Sequence, residues 1–382
     1  MSARGASAVH RIVDVAHGPQ EIGVGPDHPT LDGLPQIALE VEAGTVVAAQ
    51  WIPGSVHRGA EKLFESRDYR QIIMLVDRHD WLSAFCSEIG VVVGVERALG
   101  LVPAPRAQDI RILLCELTRI AHHLAFLAPL PGDLPPAWRV GAWAWRGEVL
   151  DLLEGATGHR VHPMFCQVGG VRADVSSAWL GQVSSATGRW SAEDASSALG
   201  LLDGPELRTL LDSDYADVAV LTRELALGFG ASGPVARASG VDLDLRRDDA
   251  CLPYPSFPVP TSERGDARAR VHLLVEELAT SIDVVRWAVH RLEESAGQPV
   301  DVRLPKVVRV PEGATYTWTE NPTGINGYLL VSRNDRTPWR LKLRSAGFGN
   351  AAAMGAALAG TAVADLPAAL ASFLIVCGDV DR

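Results

Sequence analysis

Cysteine, histidine and paired charges are the side chains in this sequence able to do chemistry, and their spacing narrows what that chemistry is. Five cysteines, Cys86, Cys115, Cys166, Cys251 and Cys377, stand far apart with no C-x-x-C pair and no histidine at ligand spacing. That pattern builds neither a zinc site nor a disulfide framework, so reduced thiols are expected. His122 and His123 are neighbours in an apolar-periodic segment; one is expected to face solvent or a partner, with no metal role. Gly169 and Gly170 lack the surrounding strand, glycine spacing and helix of a phosphate cradle. They fit a tight backbone turn, and no nucleotide site is expected. Arg58, Glu61, Arg106, Arg111, Glu116 and Arg119 fit structural ion pairs near subunit contacts, with the alternative that some of them line an electron- or proton-coupled path. The net charge of -11 argues against a nucleic-acid binder, which needs a basic surface to displace counterions. Partners should be protein or small molecule.

The chain that must position these groups has 382 residues, 47% hydrophobic and 21% charged, enough to bury a large core. Its first 18 residues show no apolar stretch of signal-peptide length and no cleavage pattern, so a protein kept inside the cell is expected. The stretch from Ala351 to Ala364 is alanine- and glycine-rich and shorter than a bilayer span, which predicts a buried helix. Residues 34–52 alternate Ile37, Leu39 and Val41 against polar neighbours, then pass an Ala-Gly turn into a β-branched run, which predicts a hairpin. From Gly59 to about Arg223 long apolar-periodic segments are broken at glycine and proline, as in a helical bundle. The clearest helix runs from Ala104 to Leu127, where Ile110, Leu113, Leu114, Leu117, Ile120 and Leu124 form a stripe with Arg111 and Arg119 off it. Gly228–Ser262 has little periodicity and reads as an ordered loop across the bundle, before a helix from about Asp266 to Glu294. Residues 306–344 return to strand texture, with a turn predicted at Gly324–Gly327. The expected architecture is α+β: a β-rich segment over 1–56, a helical core over 57–300, and a β/α segment over 301–382 packing back on the N-terminal sheet.

Six words occur in order along the chain: GPDHPTLDG (25–33), HRGAEKL (57–63), DRHDWLS (77–83), RAQDIRILLCELTRIAHHL (106–124), SGPVARASGVDLDLRRD (232–248) and the terminal GDVDR (378–382). Together they resemble the D-type, or 49-kDa-type, subunit family of respiratory NADH:quinone oxidoreductase, a relative of nickel-iron hydrogenase large subunits. The resemblance implies a nickel-iron-hydrogenase-large-subunit-like fold with a central long-helix bundle. It implies a B-type iron-sulfur partner, a C-type subunit, membrane-arm subunits of complex I, and a quinone head-group pocket at the B-type interface. No cofactor is expected in the chain itself: quinone is the substrate, and iron-sulfur clusters and flavin belong to partner subunits. The protein is expected at the cytoplasmic face of the cell membrane, held there through its partners. A hydrogenase would bind nickel and iron through two cysteine pairs, and neither Cys86 nor Cys377 has such a companion.

The resemblance also marks four quinone-pocket candidates, with two departures among them. The family's HPxxHG loop reads His28-Pro29-Thr30-Leu31-Asp32-Gly33, so Asp32 stands where the second histidine belongs. The family's DRLDY word reads DRHDW, so Trp81 stands where the tyrosine belongs. His28 is retained, and Asp133 falls near the family's histidine-holding aspartate by ungapped counting. An indole N–H can orient a carbonyl but has no accessible acid ionisation. Asp32 and Asp133, if close and screened from water, would titrate as a unit. Asp32 beside Gly33 equally fits a turn, and Trp81 equally fits core packing. An active pocket and a non-catalytic, architectural or assembly role both stay open at this level.

Overall fold

A computed structural model describes residues 36–190 and 197–382, together with the backbone of two paired antiparallel strands, Ile12–Val15 (β1) and Glu21–Val24 (β2). The GPDHPTLDG word, with His28 and Asp32, lies outside the described residues. β3 (Gln36–Glu42) and β4 (Thr45–Ile52) form the hairpin expected from the alternation, turning at Ala43-Gly44 with both residues at positive φ. Ile37, Leu39 and Val46 face the core from it.

Two short helices, α1 (Ala60–Phe64) and α2 (Ile73–Val76), lead into α3 (Ala84–Leu99), α4 (Pro105–Leu127) and α5 (Pro136–Thr157). A two-strand hairpin, β5 (Cys166–Gln167) and β6 (Gly170–Val171), precedes α6 (Ser177–Trp190). Val168 and Gly169 make its turn, and Gly170 opens β6, where a side chain would run into the Val300 carbonyl, so glycine is required there by close approach. Five short helices follow: α7 (Ala198–Leu202), α8 (Pro205–Leu210), α9 (Arg223–Gly228), α10 (Gly233–Arg237) and α11 (Leu245–Asp248). The segment expected as a loop therefore holds short helices, too brief to show periodicity. The longest helix, α12 (Ala267–Glu294), is capped by Asp266, whose carboxylate accepts the Ala269 N–H at 2.8 Å.

A three-stranded antiparallel sheet comprises β7 (Gly313–Asn321), β8 (Gly324–Ser332) and β9 (Arg340–Arg344) in sequence order. Its first turn is Pro322-Thr323, so Gly324 and Gly327 belong to β8 rather than to a turn. Gly327 is instead needed because the Tyr316 ring covers it. α13 (Ala346–Leu358), α14 (Leu366–Ala371) and α15 (Cys377–Asp381) complete the chain. α13 lies against β4, and Val46 N–H donates to the Thr361 carbonyl at 2.9 Å. The molecule is thus mixed α+β, with a helical core and small antiparallel sheets.

The central pair is α4 against α12. All of α4 is buried except Pro105 and Gln108. Arg111 and Arg119, expected off the apolar stripe, are fully buried, because each finds a carboxylate inside: Glu96 for Arg111 and Glu116 for Arg119. His122 and His123 are both buried as well, with their Nδ1 atoms 3.2 Å apart and His123 Nε2 3.0 Å from Glu277 Oε2. Neither reaches solvent, so the expectation that one would is corrected. Burial holds His122 well below the usual imidazole range, helped by His123 beside it. Glu116 accepts from Arg246 at 3.0 Å, Ser281 at 2.8 Å and Tyr254 at 3.0 Å, while Arg237 bridges Glu277 and Glu320. Burial alone would raise the Glu116 carboxyl, but Arg119 and Arg246 outweigh it and hold the group below its ordinary value.

Candidate functional site

The DRHDW segment crosses between α2 and α3, and burial governs its chemistry. Asp77 is fully buried, and both its oxygens accept from Arg78 Nη1 at 2.7 Å. Burial still pushes its carboxyl up to about 6 against the pull of Arg78. Asp80, also fully buried, accepts from the Ser83 hydroxyl; burial and the nearby Asp379 carboxylate push it up to about 6. His79 lies between them, with its Nδ1 3.2 Å from Asp379 Oδ1. The atoms are close but not aligned for a hydrogen bond, and neither ring nitrogen of His79 has a hydrogen-bond partner.

The carboxyl-terminal residues fold onto this segment. Gly378 meets it so closely that a Cβ there would collide with the Trp81 ring and the His79 carbonyl. Asp379 Oδ2 accepts the Gly347 N–H at 2.6 Å. Asp381 accepts the Gly54 and Val56 N–H groups, both at 2.8 Å, tying the strand exit before HRGAEKL to the chain terminus. Glu61, from that word, faces Arg382, Arg340 and Lys342.

These three segments enclose a cavity of about 260 Å³, lined by Arg58, Arg78, His79, Trp81, His162 and Arg382 among apolar neighbours such as Leu63 and Leu75. Words more than 300 residues apart in sequence converge here. No aspartate or glutamate lines the cavity among the described residues, while three arginines do: Arg78 is ion-paired with Asp77 and Arg382 with Glu61. His162 Nδ1 lies 3.7 Å from Asp77 Oδ2, beyond hydrogen-bond reach, and burial then Arg78 hold its imidazole below the usual range. Such a slot suits a small, flat acceptor whose oxygens gain negative charge. A larger hollow of about 540 Å³, between Met74, Met164 and residues 301–304, carries none of the candidate residues.

Residues 138–382 match the model of the respiratory-chain NADH dehydrogenase 49 kDa subunit family. Over 368 residues the chain is 44% identical to a D-type NADH-quinone oxidoreductase subunit, numbered 2, of Salinispora tropica, covering 94% of this chain and 92% of the relative. It is 43% identical to the D-type subunit numbered 1 of Streptomyces coelicolor (94% of each chain), and 34% to the D-type subunit of Carboxydothermus hydrogenoformans, covering 94% and 98%. The chain belongs to the 49 kDa subunit family. That membership makes it a relative of complex I subunits and an oxidoreductase component of the respiratory chain.

Of the candidates carried by the resemblance to the 49 kDa subunits, the structure describes two. Trp81 is half-buried and stands in the wall between the main cavity and a second one of about 30 Å³, lined also by Phe85, Ala121, Arg146 and Pro163. Asp133 sits exposed in the loop between α4 and α5 and lines neither cavity. Trp81 and Asp133 are therefore not brought together. Of the expected ion-pairing residues, Arg58 lines the cavity instead and forms no salt bridge among the described residues. His79, His162, Asp379 and Asp381 were not singled out from sequence. The one signal for His79 was an imidazole within an aspartate-rich word. Among the described residues no group of three or more His, Cys, Asp or Glu could hold a metal ion, and no helix is long and apolar enough to cross a membrane.

Proposed function

We propose that this chain supplies, together with a B-type iron-sulfur subunit, the quinone head-group pocket of a proton-translocating NADH:quinone oxidoreductase. The observation that carries the reading is the arginine-lined cavity in which HRGAEKL, DRHDWLS and GDVDR meet, walled by Trp81 at the position of the family's tyrosine. Electrons would arrive from an iron-sulfur cluster in the partner, so the chain's own task is to hold the quinone oxygens and supply protons. The C-type and membrane-arm subunits complete the assembly and hold this chain peripherally at the cytoplasmic face of the membrane. The nickel-iron-hydrogenase-like ancestry of the fold and its division at residues 56 and 300 belong to the same reading. His28 and Asp32 are further pocket candidates of the same reading, while Asp133, exposed and lining neither cavity, is not brought to it.

The test is the pH–rate profile of the assembled complex with a short-chain quinone, for the wild type, Asp32→Asn and Trp81→Tyr. An active pocket gives a profile that Asp32→Asn shifts or flattens, while Trp81→Tyr keeps or raises turnover by restoring a hydroxyl donor. Three identical profiles would remove the role given to these residues. The two departures from the family's donors favour a second reading, a non-catalytic architectural subunit. Complete absence of quinone reduction in an intact complex would establish that one.

A further inference from the structure

We propose that His79, seated against Asp379, is a catalytic residue of this cavity and delivers a proton to the quinone bound there. The inference rests on the quinone-pocket reading and names the group that does the acid chemistry within it.

Four observations converge on His79. It lines the cavity and is only 6% exposed. Its Nδ1 lies 3.2 Å from the Asp379 carboxylate, and its Nε2, itself buried, has no partner within the protein. A buried nitrogen without a partner weakens a fold, so its retention points to a ligand that satisfies it. Asp379 is itself fully buried and fixed by the Gly347 N–H, and a side chain on Gly347 would crowd that carboxylate, so the pair is held by the backbone on both sides. The substitution pattern agrees: DRHDW differs from the family's DRLDY at two positions, and an imidazole enters two residues from where the phenol is missing.

The charged groups around His79 are Asp77, Asp80 and Asp379 from the buried side, and Arg58, Arg78, His162 and Arg382 from the cavity side. The guanidinium groups on the cavity side favour the negative charge that the quinone acquires. Two electrons enter the quinone one at a time from the partner's iron-sulfur cluster. As charge builds on the nearer carbonyl oxygen, the Nε2–H bond breaks and an O–H bond forms, leaving neutral His79. Water at the cavity mouth, beside the partly exposed Arg78 and His162, returns a proton to the ring and protonates the second oxygen, giving the quinol. Asp379 is a positioning residue, its carboxylate oxygen set 3.2 Å from Nδ1.

The experiment uses the assembled complex and decyl-ubiquinone, with His79→Gln, His79→Leu, Asp379→Asn and Leu63→Trp. His79→Gln keeps a polar side chain of similar length and should lower kcat about 100-fold with KM within about threefold, and the controlling ionisation of the wild-type profile should disappear. Asp379→Asn should lower kcat about tenfold with KM within about threefold. If His79→Leu does not assemble, His79→Gln reads the same step. Wild-type kcat and pH profile in His79→Gln would overturn the proposal. Leu63 lines the cavity and is 38% exposed, so Leu63→Trp fills the slot with little burden on the fold. A raised KM in Leu63→Trp beside a silent His79→Gln refutes only the role of His79. An unchanged KM in Leu63→Trp refutes the pocket itself.

Discussion

Replacing Arg111 by Met tests whether the buried charges of the helical core are held by their partners. Arg111 Nη1 and Nη2 donate to the two Glu96 oxygens at 3.0 and 2.6 Å. Nη2 also donates to the Gln167 and Gly170 carbonyls at 3.0 and 2.9 Å, and Glu96 accepts the Gly169 N–H at 2.7 Å. One fork thus clamps α3, α4 and the β5–β6 hairpin. Methionine fills the aliphatic path but leaves Glu96 buried with one donor and two carbonyls unpaired. Breaking a buried pair costs about 3–5 kcal/mol, and each unpaired carbonyl about 1 kcal/mol more. The sum, about 5–7 kcal/mol, is a large part of the roughly 5–15 kcal/mol that a domain has. Urea midpoints of the purified chain give the loss, and amide exchange at Gly169 and Val171 should accelerate more than in α12. Arg111→Met/Glu96→Gln removes the stranded charge while keeping an acceptor for Gly169, and should recover about 2–3 kcal/mol. A loss under about 1 kcal/mol, or a double variant no more stable than the single one, would refute the reasoning.

Two further changes follow from the site. Glu88 accepts N–H groups from Met164, Phe165 and Cys166 at 2.7, 3.0 and 2.9 Å, yet burial pushes its carboxyl up to about 8. The folded chain then keeps a proton that the unfolded chain releases near pH 4.5, so this stability is complete below that pH and lost as pH rises through about 8. Thermal midpoints of Glu88→Gln should fall less between pH 5 and 8 than those of the wild type, by an amount on the order of a few kcal/mol in stability; parallel curves would contradict the assignment. Gly378→Ala should cost about 1–3 kcal/mol, because the new methyl group meets the Trp81 ring and the His79 carbonyl, and should raise KM for quinone. An unchanged thermal midpoint and KM would show that the chain terminus does not hold the cavity.

Local pattern made the β3–β4 hairpin and helices α4 and α12 legible, because alternation, apolar stripes and turn residues report the neighbours a few positions away. What surrounds α4 was not legible. Its stripe reads as one apolar face, but Arg119 reaches the Glu320 carbonyl 201 residues away, and Arg106 reaches the Leu292 carbonyl 186 away. A polar side chain paired across such distances looks like a solvated one in sequence. The same reason hid His122 and His123. At the β7–β8 turn, glycine looked like the turning residue, whereas Gly324 and Gly327 are needed where Ser232 and Tyr316 come close. For the site, the family words identified the segments that meet, while His79 became a candidate only when Asp379 was found beside it.

Buried polar atoms without a partner occur both on α4 and around the cavity, and what sets His79 and His162 apart is that they line a space an occupant can enter. Around α4 and α12 the carboxylates of Glu116, Glu277 and Glu320 each accept from an arginine or a histidine, and Arg237 bonds two of them at once. Removing a member of such a network strands the others, yet α4 also carries buried atoms without a hydrogen-bond partner: both oxygens of Asp109, Nε of Arg111, Nη1 of Arg119 and Nε2 of His122. Around the cavity the pairing is incomplete. Both nitrogens of His79, Oδ1 of Asp80, Oδ1 of Asp379 and Nδ1 of His162 have no hydrogen-bond partner, although the segments carrying them are tied down by backbone bonds to Asp381 and Asp379. Flexibility is therefore a poor reason for these unmet groups, since their neighbours are the most firmly anchored part of the terminus. A rigid frame that leaves donors and acceptors open is suited to an occupant with two oxygens, and that complementarity is what the His79 variants measure.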